Sequence, residues 1–352
     1  MAAPRIRTVA RALPPHFADQ ETLIAALRDE WAGKHFNVER LEELHRAVGV
    51  GGRHLAVPVE QYRGLTTFRA RNDAWITAAL DLGAQAVSAA LDAAGLVPTD
   101  IDHLCFVTVT GLATPSLDAR LVNRLGFRPD VTRAPLFGLG CVGGVAGTSR
   151  VSDVLRAWPG RRALLLTVEL CSLTLQREDL SVANIIASGL FGDGAAALLM
   201  EGGDLPGEGP EVVATASVFY PDTERMMGWD FVDTGFKLVL SAAVPDLVRD
   251  HVRSDVDDFL RANGLTRSDI THWVAHTGGP KVLKAFEEAL ELPSAALARS
   301  WRSLREVGNL SSVSVLFVLS ELLASGEARK GDLGLMMAMG PGFCAELVLL
   351  RW

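Results

Sequence analysis

The chain has 352 residues, of which 49% are hydrophobic and 22% are charged, and its formal net charge at pH 7 is −8. This length leaves room for two domain-sized halves, and the apolar content favours a large buried core over a disordered chain. The acidic balance argues against nucleic acid or an anionic membrane surface as a partner. A few arginines do gather near the N-terminus, at Arg40, Arg46 and Arg53, which leaves room for one small anionic ligand.

The cysteines and the N-terminal segment indicate the compartment. The four cysteines are far apart and form no CxxC pair, which argues against a zinc site and against a disulfide framework. The first residues lack the apolar segment of a secretory signal, and no uninterrupted run of about 18 apolar residues suggests a membrane span. We predict a cytoplasmic protein without a metal centre.

Helical and extended patterns alternate along the chain. Apolar residues at helical spacing predict helices, and short continuous apolar runs predict strands that are buried on both faces. The predicted elements are helices over 73–95, 244–262 and 311–325, a closely packed helix after Cys141, and strands over 104–109, 163–168, 195–200, 273–275, 333–339 and 344–350.

Three stretches of the first half recur, in the same order, in the second half. AAGLVPTDIDHL (93–104) matches RANGLTRSDITHW (261–273), FGLGCVGGV (137–145) matches EVGNLSSV (306–313), and GDGAAALLM (192–200) matches GPGFCAELVLL (340–350). The second match sets Cys141 opposite Asn309. An internal duplication explains these matches. We predict a duplicated α/β fold in α/β/α/β/α layers, with halves 1–205 and 206–352 that meet in the glycine-rich turn 201–210.

The residues that differ between the two copies include a candidate nucleophile. If a pseudo-twofold axis relates the copies, the helix N-termini that follow Cys141 and Asn309 converge near that axis. A helix N-terminus stabilises a thiolate, so we expect a lowered pKa for the Cys141 thiol. His276 ends a predicted strand and precedes the turn TGGP, which is expected to expose its ring. A cysteine, a histidine and an amide together form a nucleophilic site.

Each of these residues also has an ordinary structural interpretation. A single cysteine or histidine is most often a buried core residue, and Asn309 after Gly308 is a typical helix N-cap. Gly138, Gly140 and Gly143 fit the GxGxxG pattern, but the residues before them do not resemble the first strand of a dinucleotide-binding fold. We therefore expect no nicotinamide cofactor at this turn.

Five motifs, in order, resemble those of type III polyketide synthases, the chalcone-synthase-like branch of the thiolase superfamily: PLFGLGCVGGVAG, GLFGDGAAA, WVAHTGGP, GNLSSVSVLFVL and MGPGF. The resemblance covers essentially the whole chain. It implies a thiolase-like fold and a homodimer in which the loop 111–115 reaches the partner's cavity. It also implies a catalytic triad of Cys141, His276 and Asn309, with Phe191 as the gatekeeper of the cavity. Further positions that match cavity-shaping residues of the family are Cys171, Thr174, Leu238 and Ser311. Because Leu238 stands where the family carries phenylalanine, we expect an aromatic wall to be missing there.

The residue types suit a decarboxylative condensation. Cys141 attacks an acyl-CoA thioester, and a malonyl-CoA or methylmalonyl-CoA extender loses carbon dioxide to form an enolate. N–H groups of His276 and Asn309 stabilise that enolate, while Phe191 supplies an apolar surface that disfavours the carboxylate. CoA thioesters are then substrates, and we expect no additional cofactor. The residues expected to bind CoA are Arg40, Arg53, Gly279 and Lys281.

Three other functions are compatible with parts of the pattern. A ketoacyl synthase III-like enzyme that acts on a carrier protein shares the fold and triad, but its histidine usually stands in an HQAN-like turn, whereas here the turn is HTGGP. A papain-like cysteine protease uses the same residue types, but its CGSCW pattern is absent. A non-catalytic member of the fold would be expected to lose a triad residue, and this chain keeps all three.

The product is less well defined than the family. Small or aliphatic residues at Leu238, Thr174 and Cys171 favour a medium or long fatty acyl starter, and therefore an alkylresorcinol or alkylpyrone. The alternative product is 1,3,6,8-tetrahydroxynaphthalene, which is made from malonyl-CoA alone. The number of condensations and the mode of cyclisation stay open at this point.

Overall fold

The computed structural model describes residues 2–32, 34 and 37–352, without the side chains of residues 29, 30 and 32. Its strands are β1 (Arg5–Ala12), β2 (His16–Asp19), β3 (Gly52–Leu55), β4 (His103–Thr108), β5 (Thr132–Phe137), β6 (Arg162–Leu170), β7 (Asp193–Glu201), β8 (Glu211–Phe219), β9 (Met227–Val232), β10 (Gly235–Leu240), β11 (Ile270–Ala275), β12 (Leu333–Gly340) and β13 (Cys344–Arg351). Its helices are α1 (Gln20–Ala32), α2 (Val38–Ala47), α3 (Phe68–Ala94), α4 (Leu117–Leu125), α5 (Gly143–Ala157), α6 (Val182–Leu190), α7 (Val244–Ala262), α8 (Pro280–Leu290), α9 (Ala298–Val307) and α10 (Ser314–Ser325).

The predicted helices and strands are confirmed, with small shifts at their ends. The helix predicted from residue 73 begins earlier, at Phe68, because the side chain of Thr67 caps it by accepting a hydrogen bond from the backbone of Ala70. The helix predicted from residue 311 begins with the 3₁₀ turn Ser311–Val313, and its α-helical part starts at Ser314.

One large mixed sheet carries the duplication. Its strand order is β11-β12-β13-β8-β1-β7-β6-β4-β5. In the first half β4 runs parallel to β6, and β7 is antiparallel to both β6 and β1. In the second half β11, β12, β13 and β8 repeat this pattern strand for strand. Among the described residues, a single pair, Arg5 and Glu211, joins β1 to β8, so the sheet consists of two similar half-sheets.

Alternate side chains of each strand enter different layers. On β4, Cys105 and Val107 join a central apolar cluster, whereas Leu104 and Phe106 join a cluster with α3 and α4. The central cluster combines residues of α5 and α10 with residues of both half-sheets, and α7, α8 and α9 cover the other face of the second half-sheet. These contacts form the predicted α/β/α/β/α arrangement, with α5 and α10 as the middle layer.

One of the described helices, α3, is long and apolar enough to cross a membrane when judged by length and composition. In this fold 50% of its most apolar window is buried inside the protein. Its buried residues, such as Trp75, Ala79 and Val87, pack with strands β6 and β7. The apolar character of α3 therefore reflects its place in the core.

The duplicated turns agree with the sequence matches, with one change of register. The backbone N–H of Val97 donates to Asp100 at 2.9 Å, and in the second copy that of Thr266 donates to Asp269 at 2.7 Å, as the first match predicts.

The register changes at the turn that carries the candidate nucleophile. The turns Gly140–Val142 and Ser311–Val313 lead into α5 and α10, and their first residues have φ angles of 54° and 51°. Matching these turns sets Cys141 opposite Ser312, so the predicted pairing of Cys141 with Asn309 is wrong. The sequence match paired two glycines, Gly140 and Gly308, but the left-handed conformation of Gly140 is adopted in the second copy by a serine.

Candidate active site

Glycines bring the turn that carries Cys141 against the second half. A Cβ atom on Gly144 would lie 2.3 Å from the backbone oxygen of Ser312, so this approach requires glycine. Cys141 follows in the 3₁₀ turn Gly140–Val142 and is 5% exposed. Its Sγ atom lies 3.9 Å from the Oγ of Ser311, a long contact for a thiol donor. The sulfur is thus buried but not tightly held.

Asn309 is fixed by its backbone and by the turn that follows it. Its N–H donates to the carbonyl of Leu190 at 2.9 Å, and its carbonyl accepts from the N–H of Gly192 at 2.9 Å. Its side-chain oxygen accepts from the N–H of Ser311 at 2.8 Å. Because the oxygen is engaged in this way, the amide NH₂ group is the part available to a ligand. The amide also interacts with Cys141, whose thiolate it stabilises.

His276 follows the carboxyl end of β11, and its backbone N–H donates to the carbonyl of Met337 at 3.0 Å. The residue is 2% exposed, so the prediction that the turn exposes its ring is wrong. Neither ring nitrogen has a hydrogen-bond partner in the described part of the protein. Burial lowers the pKa of His276 to about 3, which keeps the ring neutral, with one N–H donor and one acceptor nitrogen.

The turn after His276 and the backbone of Asn309 both contact Leu190. A Cβ atom on Gly279 would lie 3.4 Å from the side chain of Leu190, and the carbonyl of Leu190 accepts the N–H of Asn309. On the other side, a Cβ on Gly340, at the end of β12, would lie 3.3 Å from the backbone nitrogen of Cys141. The structure therefore gathers all three predicted catalytic residues around the ends of β11 and β12.

The electrostatics of Cys141 differ from the expectation. Burial raises the pKa of its thiol to about 12, and the charge of Glu169 raises it further, while hydrogen bonds from Ser311, Asn309 and its own backbone lower it. The lowered pKa predicted from the helix N-terminus is therefore wrong for the protein without substrate, because the loss of water outweighs the local N–H groups. The resting site holds a neutral thiol and a neutral imidazole.

Phe191 lines a cavity of about 330 Å³ next to the three predicted catalytic residues. It forms an isolated parallel β-bridge with Asn309, so the two backbones run side by side. Of the predicted cavity residues, Cys171, Thr174 and Leu238 line this cavity together with Phe191. Ser311 was predicted to shape the cavity as well, but it is not among the residues that line this cavity, and its described contacts are with Cys141 and Asn309.

Trp229 is a cavity residue that the sequence did not reveal. It lies on β9 directly opposite Leu238 on β10, and both side chains line the cavity. The prediction that an aromatic wall is missing is therefore wrong, because the tryptophan across the hairpin supplies it. The sequence signal was weak, since only the hairpin register brings residues 229 and 238 to one face.

Glu169 is a second residue that sequence reasoning missed. Its carboxyl group, fully buried at the end of β6, accepts hydrogen bonds from Ser312 Oγ at 2.6 Å, Val109 N at 3.0 Å and Thr110 Oγ1 at 2.9 Å. Burial raises its pKa to about 7. A glutamate inside the apolar run RALLLTVEL was the available signal, because a charged residue in a strand buried on both faces is unusual.

The residues expected to bind CoA are scattered. Arg40 lies exposed on α2 and pairs with Glu43 at 2.9 Å, and Lys281 is exposed on α8 just after Gly279. Arg53 lies inside the protein and lines the cavity, so a role in holding CoA phosphates at the surface does not fit its position. No cluster of three His, Cys, Asp or Glu side chains that could hold a metal ion occurs in the part of the chain that the structure describes.

Comparisons with known proteins agree with this geometry. The family models for the N-terminal and C-terminal domains of chalcone and stilbene synthases match residues 5–204 and 211–352. The chain belongs to the chalcone and stilbene synthase family. Its members include the type III polyketide synthases, and this chain is a type III polyketide synthase with the thiolase-like fold, an acyltransferase.

Several members of the family are similar over most of their length. A 1,3,6,8-tetrahydroxynaphthalene synthase from Streptomyces peucetius subsp. caesius is 51% identical over 99% of this chain and 93% of its own length. A 3,5-dihydroxyphenylacetyl-CoA synthase from Amycolatopsis orientalis is 37% identical over 78% of this chain and 74% of its own. The crystal structure of 1,3,6,8-tetrahydroxynaphthalene synthase from Streptomyces coelicolor A3(2) matches with a TM-score of 0.94 at 32% identity, over 99% of both chains.

Proposed function

We propose that this type III polyketide synthase makes 1,3,6,8-tetrahydroxynaphthalene, with malonyl-CoA as both starter and extender. The observation that carries the proposal is the 51% identity, over 99% of the chain, to a synthase of that product. The cavity supports it, because about 330 Å³ is near the lower end of the range for small-molecule pockets. A small, partly aromatic cavity suits a folded aromatic product better than a long alkyl chain. The alkylresorcinol or alkylpyrone product preferred from the sequence therefore becomes the second candidate.

The first chemical step is transfer of the starter to Cys141. The thiol gives its proton to the acceptor nitrogen of His276, and the sulfur attacks the thioester carbonyl of the acyl-CoA. The tetrahedral intermediate expels the CoA thiolate, which takes the proton back from the imidazolium. The starter is then held as a thioester on Cys141, and His276 is again neutral.

The second step is decarboxylation and carbon–carbon bond formation. The extender's carboxylate leaves as carbon dioxide, and the electron pair stays on the α-carbon as an enolate. The ring N–H of His276 and the amide N–H of Asn309 donate to the enolate oxygen, in place of a metal or a base. The carbanion attacks the acyl group on Cys141, and the sulfur leaves. Phe191 shields this exchange from water on the cavity side.

The assembly and location are further parts of the proposal. We expect a homodimer in the cytoplasm, with halves 1–205 and 206–352 as the two structural units of each subunit. CoA thioesters are the only other molecules required, without nucleic acid or membrane. The exposed edge strand β5, whose Phe137 is 45% exposed, supports the dimer, because an uncovered apolar sheet edge favours association. Sedimentation that shows a monomer at micromolar concentration contradicts the dimer.

The product assay uses purified protein with malonyl-CoA alone, and in parallel with malonyl-CoA plus a series of acyl-CoA starters from acetyl to palmitoyl. We expect tetrahydroxynaphthalene, or its oxidation product, from malonyl-CoA alone, identified by mass and by comparison with a standard. A product that forms only when a long acyl-CoA is present contradicts the proposal and favours the alkylresorcinol or alkylpyrone. Delivery of the starter by a carrier protein in place of CoA, as in a ketoacyl synthase III-like enzyme, is contradicted by any product in this assay.

A further inference from the structure

Arg53 is a buried cation in the cavity wall that has no bonded partner among the described residues. It lies on β3, is 2% exposed, and lines the same cavity as Phe191 and Trp229. Its guanidinium forms no hydrogen bond and no ion pair with any residue that the structure describes, and its Nη1 atom is fully buried. Buried guanidinium groups normally have several partners, because an unpaired buried charge costs several kcal/mol. We therefore expect a bound ligand to supply the partner of the Arg53 guanidinium.

The nearest opposite charge does not provide that partner. The carboxylate of Asp193 acts on Arg53 through space, but its oxygens already accept from Ala56 N at 2.6 Å, from Ser172 N at 2.8 Å and from Ser172 Oγ. Burial lowers the pKa of the nearby His45 to about 3, and the charge of Arg53 lowers it further, so that ring stays neutral. Asp193 and His45 therefore act on Arg53 through its charge, and neither accepts a hydrogen bond from its guanidinium.

The position of Arg53 also relates it to the triad. A Cβ atom on Gly192 would lie 3.2 Å from the Cβ of Arg53, and the N–H of Gly192 donates to the carbonyl of Asn309. Arg53 therefore lies next to Gly192, whose N–H also positions the backbone of Asn309. Under the proposed function, we expect the starter end of a chain that grows on Cys141 to lie beyond Phe191 in this cavity.

We propose that Arg53 binds a free carboxylate at the starter end of the growing chain, and that it thereby selects a carboxylated starter such as malonyl over a neutral acyl group. A guanidinium can hold a carboxylate through two parallel N–H···O bonds, and the apolar lining by Leu23, Leu27 and Leu55 strengthens that pair. This inference rests on the proposed function, since it explains how an enzyme that uses malonyl-CoA alone would favour its starter.

The test compares two starters of equal chain length that differ in charge. Succinyl-CoA and butyryl-CoA compete for acylation of Cys141 in the full-length protein, and intact mass spectrometry measures the ratio of succinyl to butyryl enzyme. We expect Arg53→Met to lower this ratio by about 10- to 100-fold, the effect of losing a charge-assisted bidentate pair. Arg53→Lys should recover part of the ratio, because it keeps the charge but loses the fork geometry.

A second arginine, partly buried and not part of the cavity lining, provides the matched control. Arg71 is partly buried, does not itself line this cavity, and donates from its guanidinium to the carbonyls of Leu65 and Leu175 at 2.9 Å. Arg71→Met should lower the melting temperature without changing the succinyl-to-butyryl ratio. If Arg53→Met leaves that ratio unchanged, or if Arg71→Met changes it equally, Arg53 is structural and the inference is overturned.

The two proposals fail separately. A wild-type enzyme that makes no product from malonyl-CoA alone refutes the proposed function, and the acylation ratio still reports on Arg53. If Arg53→Met does not fold, Arg53→Lys gives the decision, because a ratio equal to that of the wild type refutes bidentate recognition.

Discussion

The 3₁₀ turns Gly140–Val142 and Ser311–Val313 share a backbone, yet their central residues have different partners. In the first half the sulfur of Cys141 interacts with the Asn309 amide and has a long contact, at 3.9 Å, with Ser311 Oγ, and neither of these is a strong acceptor for the thiol. In the second half Ser312, at the equivalent position, donates from its Oγ to the buried carboxyl group of Glu169 at 2.6 Å. One copy of the turn therefore keeps a side chain free for chemistry, and the other uses its side chain to bind the two halves together.

This difference explains how a duplicated fold can hold one reactive group rather than two. Both turns sit at the N-terminus of a buried helix, so the helix terminus alone does not distinguish them. What distinguishes them is the absence of a strong acceptor for Cys141 among the described residues and the presence of one for Ser312. The copy to which we assign the catalysis is the one whose side chain lacks a strong acceptor among the described residues.

The first prediction removes the free side chain. Cys141→Ala should lower product formation by at least about 10³-fold, because no other group forms the thioester. Cys105→Ala, Cys171→Ala and Cys344→Ala should each still take up an acyl group, as measured by intact mass after incubation with acyl-CoA. Detection of the labelled acyl group on a peptide without Cys141 contradicts this assignment.

The second prediction separates the amide from the imidazole. Asn309→Ala should lower malonyl-CoA decarboxylation by about 10²–10³-fold, the effect of one oxyanion donor, while acyl transfer to Cys141 persists. His276→Ala should lose both, since the imidazole also accepts the thiol proton. If Asn309 served only as a helix cap, its loss would cost about 1 kcal/mol of stability with decarboxylation intact. Release of carbon dioxide and enzyme acylation, measured on both variants, decide between these roles.

The third prediction tests the carboxyl group that the second turn holds. The pKa of Glu169 is raised from 4.5 to about 7 in the folded protein, so folding favours its protonated form. Its contribution to stability is fully present below pH 4.5 and is lost as the pH rises towards 7, by about 3 kcal/mol in total. Relative to Glu169→Gln, the wild type should therefore lose that amount of unfolding free energy between pH 4.5 and 8, measured by urea denaturation. If the unfolding free energies of the wild type and of Glu169→Gln change with pH in the same way, the raised pKa of Glu169 is refuted.

The fourth and smallest prediction concerns the equivalent residue in the second copy. Ser312→Ala removes one donor to Glu169 and should cost about 1–2 kcal/mol of unfolding free energy. Acylation of Cys141 should stay within about threefold of the wild type, because Val109 and Thr110 still hold the carboxyl group. A loss of acylation as large as that of Cys141→Ala would mean that the two turns are chemically equivalent after all.

The sequence predicted what depends on local patterns. The strands, the helices and the three gathered residues followed from apolar runs, from turn glycines and from the family motifs, and the structure places them accordingly. The features that the sequence did not predict depend on contacts between residues that are far apart in the chain. Trp229 reaches the cavity only through the register of the β9–β10 hairpin, and Arg53 belongs to a basic stretch in sequence but to the interior in space. The pKa of Cys141 is raised by burial, and the burial of this residue cannot be predicted from the local sequence pattern.

The backbone bridge between Phe191 and Asn309 has a consequence for redesigning the enzyme. Because the two residues are joined through main-chain atoms, a shift of the Phe191 backbone by a fraction of an ångström should also move the side-chain amide of Asn309. We therefore expect substitutions of Phe191 that are designed to give a larger product to lower the turnover rate of the enzyme. The β9–β10 hairpin carries Trp229 and Leu238 on a separate two-stranded sheet, so its side chains can be exchanged while the reacting centre stays in place. New products are best sought from that wall.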